Sequence, residues 1–218
     1  MLRVEFHCHT RYSSDSLTSL ESLLAACRKR GVDRVVVTDH NTIAGARKAQ
    51  KLDPERVIVG EEILTREGEL LVAYVQEEIP PGLAPEEAIA RLRDQGAFIS
   101  VSHPFDRLRG GHWELPALLR IMPLVDAIET FNARCLFPSF NRQAQAFARQ
   151  HNLAGTAGSD AHSAWEIGKA TLLLPVFQDA SGLRQMIRQA QPRLALSPPW
   201  VHFASRYAVW RKKQSQWR

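Results

Sequence analysis

The sequence predicts an α/β fold built on a mostly parallel sheet or barrel, and two observations support this. Short β-branched and aromatic runs alternate with amphipathic segments of helical period along most of the 218 residues. Polar side chains able to bind metal follow nearly every predicted strand. In parallel α/β architectures these strand ends meet at one mouth. The length and the hydrophobic fraction of 44% suit one compact domain.

The elements follow from local patterns in chain order. Apolar spacing and flanking Gly or Pro define the helices; for example, 85–96 has Pro near its start, acids in its first turn and Gly at its end. In the first half, strands are predicted at 2–7, 34–38, 57–65 and 69–75, with helices at 20–30, 42–52 and 85–96. In the second half, strands are predicted at 97–103, 126–131, 153–160 and 170–175, with helices at 115–121, 139–151 and 181–191.

Charge divides the chain into a barrel domain at 1–197 and a basic, aromatic tail at 198–218 that we expect to dock on it. Residues 180–218 contain eight Lys or Arg and no Asp or Glu. We expect the aromatic side chains of the tail to pack on the barrel and its basic run to stay in water, although the same composition could stack on nucleic acid bases. These residues are Phe203, Tyr207 and Trp210, followed by Arg211, Lys212 and Lys213, within a run that ends at Trp217.

Composition also excludes several classes of protein. Three cysteines at unpatterned spacings do not make a disulfide framework. No apolar run is long enough to cross a bilayer, and the first residues lack the pattern of a secretory signal. We therefore expect a cytoplasmic protein without a membrane partner, and the sequence predicts no oligomeric state.

The predicted strand ends carry the chemistry. His7 and His9 are one residue apart, so both imidazoles lie on the same face of an extended chain, while Cys8 points the other way into the core. Asp160 and His162 have the same spacing. Burying this many imidazoles and carboxylates together is costly unless cations neutralise them. Imidazole with carboxylate suits Zn²⁺, Mn²⁺ or Fe²⁺ in a hydrolytic site.

The order of these motifs resembles the polymerase and histidinol phosphatase (PHP) family. The motifs are HCHTRYSSDS, VVVTDHNTIAGA, GEEI, SHPFD, IETFN and AGSDAH, which lie between residue 7 and about residue 168. The resemblance implies a distorted (β/α)7 TIM-like barrel with two or three divalent ions (Zn, Mn or Fe, with Mg also possible) at the C-terminal mouth of its strands. It also implies a metal-dependent phosphoesterase.

The resemblance also assigns metal ligands. One ion would be held by His7, His9 and Asp160, with Glu62 bridging to a second ion that His103 also binds; a third would be held by Asp15, His40 and His162. Some family members have a histidine near 129–132, where this chain has Glu129 and Asn132. Glu129 could replace that imidazole, or the ion could be weakly held, so two and three ions both remain open.

Four residues are candidates for catalytic roles. Arg109 and Arg134 follow strand ends and could bind phosphate oxygens, and Asp160 and His162 could assist the leaving oxygen. The expected substrate is a phosphorylated small molecule, such as a nucleotide, or the end of a short oligonucleotide, attacked by a metal-bridging hydroxide.

Two alternatives stay open. A metal-binding PHP module without catalysis could bind nucleic acid or a protein partner. A barrel that hydrolyses C–N bonds ranks lower, because no lysine lies at the predicted strand ends to bridge metals.

Overall fold

The computed structural model describes residues 1–215, and within that range it shows a nearly closed, distorted barrel. In the described part of the chain, nine strands form the sheet: β1 Leu2–Glu5, β2 Arg34–Val37, β3 Val57–Leu64, β4 Glu69–Ala73, β5 Phe98–Val101, β6 Ala127–Asn132, β7 Ala154–Gly158, β8 Ala170–Leu174 and β9 Gln191–Leu194. Up to residue 215, seven α-helices accompany them: α1 Leu20–Lys29, α2 Ala44–Leu52, α3 Pro85–Asp94, α4 Leu115–Ile121, α5 Pro138–Gln150, α6 Ala180–Met186 and α7 Val201–Ser215. The predicted TIM-like barrel is confirmed.

The sheet runs in the order β7-β6-β5-β4-β3-β2-β1-β8-β9. Strands β1 to β3 are mutually parallel, and so are β5 to β7, whereas β4 is antiparallel to both of its neighbours. The barrel thus departs from a regular strand–helix repeat, because the tight turn between Thr65 and Gly68 returns the chain directly into β4. The amino end of β4 therefore lies at the same mouth as the carboxyl ends of the parallel strands.

The barrel closes through contacts between the segments that follow β1 and β7. The backbone N–H of His9 donates to the carbonyl of Ala161 over 2.8 Å, and Cys8 forms a parallel bridge with Ala161. This closure brings the first and last site motifs of the sequence side by side.

Apolar side chains form two layers. One packs the outer helices against the sheet and includes Leu23, Leu118 and Cys8. The other lies on the opposite face, where Phe6 and Phe98 have ring centroids 6.4 Å apart and α6 adds Leu183. Cys8 is fully buried, as the strand alternation predicts.

The tail docks differently from the prediction. In α7 the buried side chains are Val201 and Ala208, whereas Phe203, Tyr207 and Trp210 are 71%, 50% and 57% exposed. The expected packing of these three aromatics on the barrel is therefore wrong. The reason is that small side chains on one side of the helix allow it to approach the barrel closely, and this leaves the bulky ones outside.

Lys212 also differs from the prediction, since it does not simply remain in water. Its Nζ donates to the carbonyl of Arg11 over 2.7 Å and also to that of Ser13. The C-terminal end of α7 is thereby attached to the segment that follows β1. The predicted aromatic run ends at Trp217, which lies outside the described residues.

None of the helices in the described part of the chain combines the length and hydropathy that a membrane crossing needs.

Candidate metal centre

Four side chains from three strand ends converge at the mouth. The Nε2 atoms of His7 and His9 are 3.1 Å apart. Oε2 of Glu62 lies 3.3 Å from the first of these nitrogens and 3.4 Å from the second. Oδ1 of Asp160 lies 3.5 Å and 3.2 Å from the same two nitrogens. These distances place four ligand atoms around one small volume.

Glu62 connects this group to a second one. His40 Nδ1 lies 3.0 Å from its Oε2, and His103 Nε2 lies 3.1 Å from its Oε1. A further carboxylate, that of Glu69, lies 3.4 Å from His103 Nε2. His40, Glu62 and Glu69 offer ligand atoms that lie close enough together to hold one ion.

A third group forms on the other side of His40. Its Nε2 lies 3.5 Å from Asp15 Oδ2, and the same carboxylate oxygen lies 2.8 Å from His162 Nε2. His9, His40 and His162 together could hold an ion. The structure thus brings together the ligand candidates His7, His9, Asp15, His40, Glu62, His103, Asp160 and His162.

Glu129 lies behind this cluster and not within it. Its Oε1 accepts a hydrogen bond from His7 Nδ1 over 3.0 Å, and its Oε2 accepts from the backbone N–H of His103 and from Asn132 Nδ2. Both carboxylate oxygens are therefore used by protein donors. The sequence left open that Glu129 replaces a ligating imidazole. In the structure its carboxylate instead orients His7.

Asp39 holds the imidazole of His9 through an intervening hydroxyl. Ser13 Oγ donates to Asp39 Oδ1 over 2.8 Å and lies 3.0 Å from His9 Nδ1. The same hydroxyl accepts from the backbone N–H of His40, and Asp39 also accepts from the N–H of Thr10. This network fixes the first and second strand ends relative to each other.

Burial and neighbouring charge shift the pKa values across the cluster. Burial alone would lower the pKa of His7, but the carboxylates of Glu62, Asp160 and Glu129 raise it well above its usual value. Burial lowers the pKa of His9 to about 3, with a further contribution from His162 and His40. His9 is thus a neutral imidazole at neutral pH, which is the form that binds metal.

Two carboxylates of the cluster, those of Glu62 and Asp160, stay ionised despite burial. Burial opposes ionisation of Glu62, yet His7 and His40 hold its pKa well below the usual range. Burial also opposes ionisation of Asp160. Its pKa nevertheless lies well below the usual range, because the positive charges of Arg109 and His7 lower it. The site therefore presents anionic oxygens at any physiological pH.

Unpartnered oxygens show that the donor set fits divalent ions. Asp15 Oδ1, Glu62 Oε2 and Asp160 Oδ1 are buried, yet they accept no hydrogen bond among the described residues. Ionised oxygens left in this condition are costly unless a cation compensates them. Imidazole nitrogens and carboxylate oxygens are ligands for Zn²⁺, Mn²⁺ and Fe²⁺.

The backbone around β7 is adapted to this convergence. Asp160 has φ +51°, a left-handed conformation that is uncommon for a residue other than glycine. A Cβ on Gly158 would lie 2.2 Å from the Cβ of His7, so only glycine allows β7 to pass so close to β1.

The two arginines expected at the mouth are there, but their guanidinium groups are already engaged. Arg109 donates to Asp160 Oδ2, and its Nε donates to Asp106 over 3.2 Å. Arg134 is buried, and its Nη2 donates to the carbonyl of Val201 over 3.2 Å and to Ser205. Both arginines therefore connect segments of the mouth to each other, a role that the sequence did not predict.

A cavity of about 540 Å³ opens over the cluster. One side is formed by Asp15, His40, Glu69, His103 and His162. The other sides come from the 106–111 segment, from Arg134 and from α7. The volume is in the range of small-molecule sites.

Sequence reasoning missed Glu69 and the contribution of α7. Glu69 is the first residue of an antiparallel strand, so it lies at the mouth, whereas the ligands predicted from the sequence follow or end their strands. The predicted hairpin between 57–65 and 69–75 could have indicated the position of Glu69, because a hairpin places the start of its second strand beside the end of its first. His202 also lines the cavity and lies 3.1 Å from the carbonyl of Arg134, but no local motif distinguishes it.

Comparisons with known proteins show which family this sequence matches. The family model described as the PHP domain matches residues 5–80, and a PHP-associated model matches residues 138–192. The uncharacterized protein MJ1587 of Methanocaldococcus jannaschii is 34% identical over 146 residues, which span 61% of this chain and 82% of the relative. A second uncharacterized protein of that organism, MJ0417, is 35% identical over 172 residues, spanning 78% of this chain and 69% of the relative.

Solved structures share the fold. PsfC from Pseudomonas syringae has a TM-score of 0.68 at 19% identity and covers 98% of this chain and 100% of its own. A two-domain protein from Bacteroides vulgatus that contains a predicted PHP-like metal-dependent phosphoesterase has a TM-score of 0.68 at 18% identity. The match covers 95% of this chain and 69% of that protein. The lesion-specific endonuclease PfuEndoQ from Pyrococcus furiosus has a TM-score of 0.61 at 15% identity, and the match covers 91% of this chain and 59% of the endonuclease.

The chain belongs to the PHP family. This is a family of metal-dependent hydrolases that act on phosphate ester bonds.

Proposed function

We propose that this protein hydrolyses a phosphomonoester, such as a nucleotide or the end of a short oligonucleotide, with two or three divalent ions. The observation that carries the proposal is a set of buried oxygens, Asp15 Oδ1, Glu62 Oε2 and Asp160 Oδ1, that accept no hydrogen bond among the described residues. The second and third of these oxygens lie 3.0 Å from His40 Nδ1 and 3.2 Å from His9 Nε2. Ion pairs within the protein leave these oxygens incompletely satisfied, and clustered divalent ions would satisfy them.

The ligand roles follow from the contacts. One ion would be held by His7, His9 and Asp160, with Glu62 bridging to a second near His103. Glu69 and His40 are further donors to the second ion, and Asp15 and His162 are donors to a third. When bound, the ions would lower the pKa of a water molecule and stabilise charge on the phosphoryl oxygens.

The residues around the ligands act by orientation. Glu129 fixes His7 by accepting from its Nδ1, which directs Nε2 towards the cluster. His162 Nδ1 lies 2.8 Å from the carbonyl of Asp160, which favours the tautomer with a free Nε2. Because Arg109 and the cluster keep the pKa of Asp160 low, we assign this residue to metal binding and not to protonation of the leaving oxygen.

The direct test is a turnover screen with apo-protein. Mn²⁺, Zn²⁺, Fe²⁺ and Mg²⁺ are added back separately, and p-nitrophenyl phosphate, its bis-ester, nucleotides, sugar phosphates and short oligonucleotides are offered. We expect metal-dependent release of phosphate from at least one monoester. Loss of activity in His9→Ala, with retained activity in His151→Ala, would link turnover to the cluster, because His151 ends α5 and packs on Phe147.

The proposal fails if metal-loaded protein hydrolyses none of these esters, or if His9→Ala retains near-wild-type turnover with metals present. Metal binding without any turnover would instead support a PHP module that only binds. Hydrolysis of amides or other C–N substrates in place of phosphate esters would support the amidohydrolase-like alternative.

A further inference from the structure

Helix α7 forms one wall of the cavity above the cluster. His202, Ser205 and Arg206 line the cavity from this helix. The helix has 15 residues, so it is about 22 Å long and extends beyond the cavity at its C-terminal end. At the amino end of the helix, the carbonyl of Val201 accepts a hydrogen bond from Arg134, and towards its carboxyl end Lys212 donates to the carbonyl of Arg11. The wall is therefore fixed to both sides of the mouth.

Among the arginines that line this cavity, Arg206 differs in having no partner among the described residues. Arg109 is paired with Asp160 and Asp106, and Arg134 is bonded to Val201 and Ser205. The exposed Arg206 makes no hydrogen bond or ion pair within residues 1–215. As far as residues 1–215 are concerned, Arg206 is the arginine on the cavity wall that can meet an incoming anion without breaking an existing contact.

An exposed aromatic ridge lies beside Arg206 on the same helix. We define this ridge as Phe203, Tyr207 and Trp210, which follow one another at intervals of four and three residues and so share one side of α7. All three are at least half exposed, and the rings of Tyr207 and Trp210 have centroids 5.8 Å apart. Next to the cavity wall, the helix therefore presents a row of exposed aromatic side chains.

The positive charge around the ridge indicates what kind of molecule binds there. α7 contains Arg206, Arg211, Lys212 and Lys213 and no acidic residue. Aromatic rings interleaved with cations bind single-stranded nucleic acid, because bases stack on the rings while phosphates meet the cations. A second copy of this strongly basic helix would place like charges against each other.

Building on the proposed function, we infer that α7 is the binding surface for a single-stranded oligonucleotide whose end lies in the cavity. Arg206 contacts a phosphate next to the one being hydrolysed, and the aromatic ridge stacks the following bases. The substrate class is then a nucleic acid strand and not a free mononucleotide. No bond changes at this surface, since it contributes only binding.

The test is fluorescence anisotropy with metal-loaded protein and a labelled phosphorothioate dodecamer of thymidylate, which resists cleavage. A dodecamer of the same backbone without bases serves as the second probe. Replacing Phe203 and Trp210 together by Ala should weaken binding of thymidylate by about tenfold or more and leave the abasic probe nearly unchanged. Arg206→Gln should weaken both probes and reduce the slope of log affinity against log salt by about 0.7.

Matched controls remove similar groups elsewhere. Arg142→Gln changes an exposed arginine on α5, and Leu52→Ala removes an exposed apolar side chain at the amino end of the barrel. Both should bind the thymidylate probe as the wild type does. The inference is overturned if the Phe203 and Trp210 variant binds both probes as tightly as wild type, or loses both equally.

Two further results separate this inference from the proposed function. If small esters are hydrolysed but the α7 variants bind thymidylate normally, the inference alone fails. If no ester is hydrolysed but base-dependent binding needs the ridge, the inference survives as a binding surface. A dimer in sedimentation that these variants disperse, with unchanged oligonucleotide affinity, would show that a second copy covers the ridge and would overturn it.

Discussion

At the scale of single residues, function depends on which carboxylates face the cluster and which support it. Glu61 and Glu62 are adjacent and both buried, yet they face opposite ways. Glu61 accepts from the backbone N–H of Ile79, whereas Glu62 meets four imidazoles. The alternation of side chains along β3 separates a structural carboxylate from a ligand.

This difference predicts the effect of two matched substitutions. Glu129→Gln should weaken metal binding by about ten- to a hundredfold, because the amide no longer offers two anionic acceptors to His7 and His103. Glu61→Gln should leave metal binding unchanged. Burial raises the pKa of Glu61 to about 8, so its carboxyl is already neutral at pH 7 and the amide closely resembles it.

The measurement is competition of each variant with a chromophoric chelator, with circular dichroism as the check on folding. Equal loss of affinity in both variants would show that the two carboxylates act on the site through general stability alone.

At the scale of elements, most strands and helices were predictable because each has a strong local pattern. The predicted strand at 34–38 became β2, and the predicted helix at 85–96 became α3, with differences of one or two residues. β9 was missed because all four of its residues are exposed, so it has no apolar alternation. The orientation of α7 could not be predicted either, since only Val201 and Ala208 are buried apolar residues in the described part of this helix, which is too few to make an apolar stripe.

The attachment of α7 to the segment after β1 gives the next prediction. Lys212→Met should destabilise the protein by about 1 kcal/mol, because the carbonyls of Arg11 and Ser13 lose a charged donor. Hydrogen exchange should speed up in α7 and around Ser13. Lys213→Met, at an exposed neighbouring position, is the control. Denaturant unfolding that gives the same stability for both variants would contradict this role.

At the scale of the whole molecule, the barrel brings distant motifs together, and this explains how much of the site the sequence could predict. Parallel strand ends meet at one mouth whatever lies between them, so His7, Glu62 and Asp160 could be grouped before any distance was known. Glu69 and the wall formed by α7 depend on one antiparallel strand and on a docking mode. Neither has a period or a motif in the sequence.

The closed packing also predicts how the three thiols react. Cys8, Cys27 and Cys135 are free and buried, and burial raises the pKa of Cys27 to about 12 and that of Cys8 well above its usual value. In native protein at neutral pH, Ellman's reagent should therefore label almost none of them, because the thiolate is the reactive form. All three should react after unfolding in guanidinium. Rapid labelling of the native protein would show that this packing is not maintained in solution.

The central claim is that side chains from separate strand ends form one centre for divalent ions, and metal content measures it most directly. Apo-protein is loaded with Mn²⁺ or Zn²⁺, dialysed against metal-free buffer, and analysed by inductively coupled plasma mass spectrometry beside His9→Ala. We expect two or three tightly bound ions per wild-type chain and a clear loss in the variant. Fewer than one ion per wild-type chain, or the same content in both proteins, would contradict it.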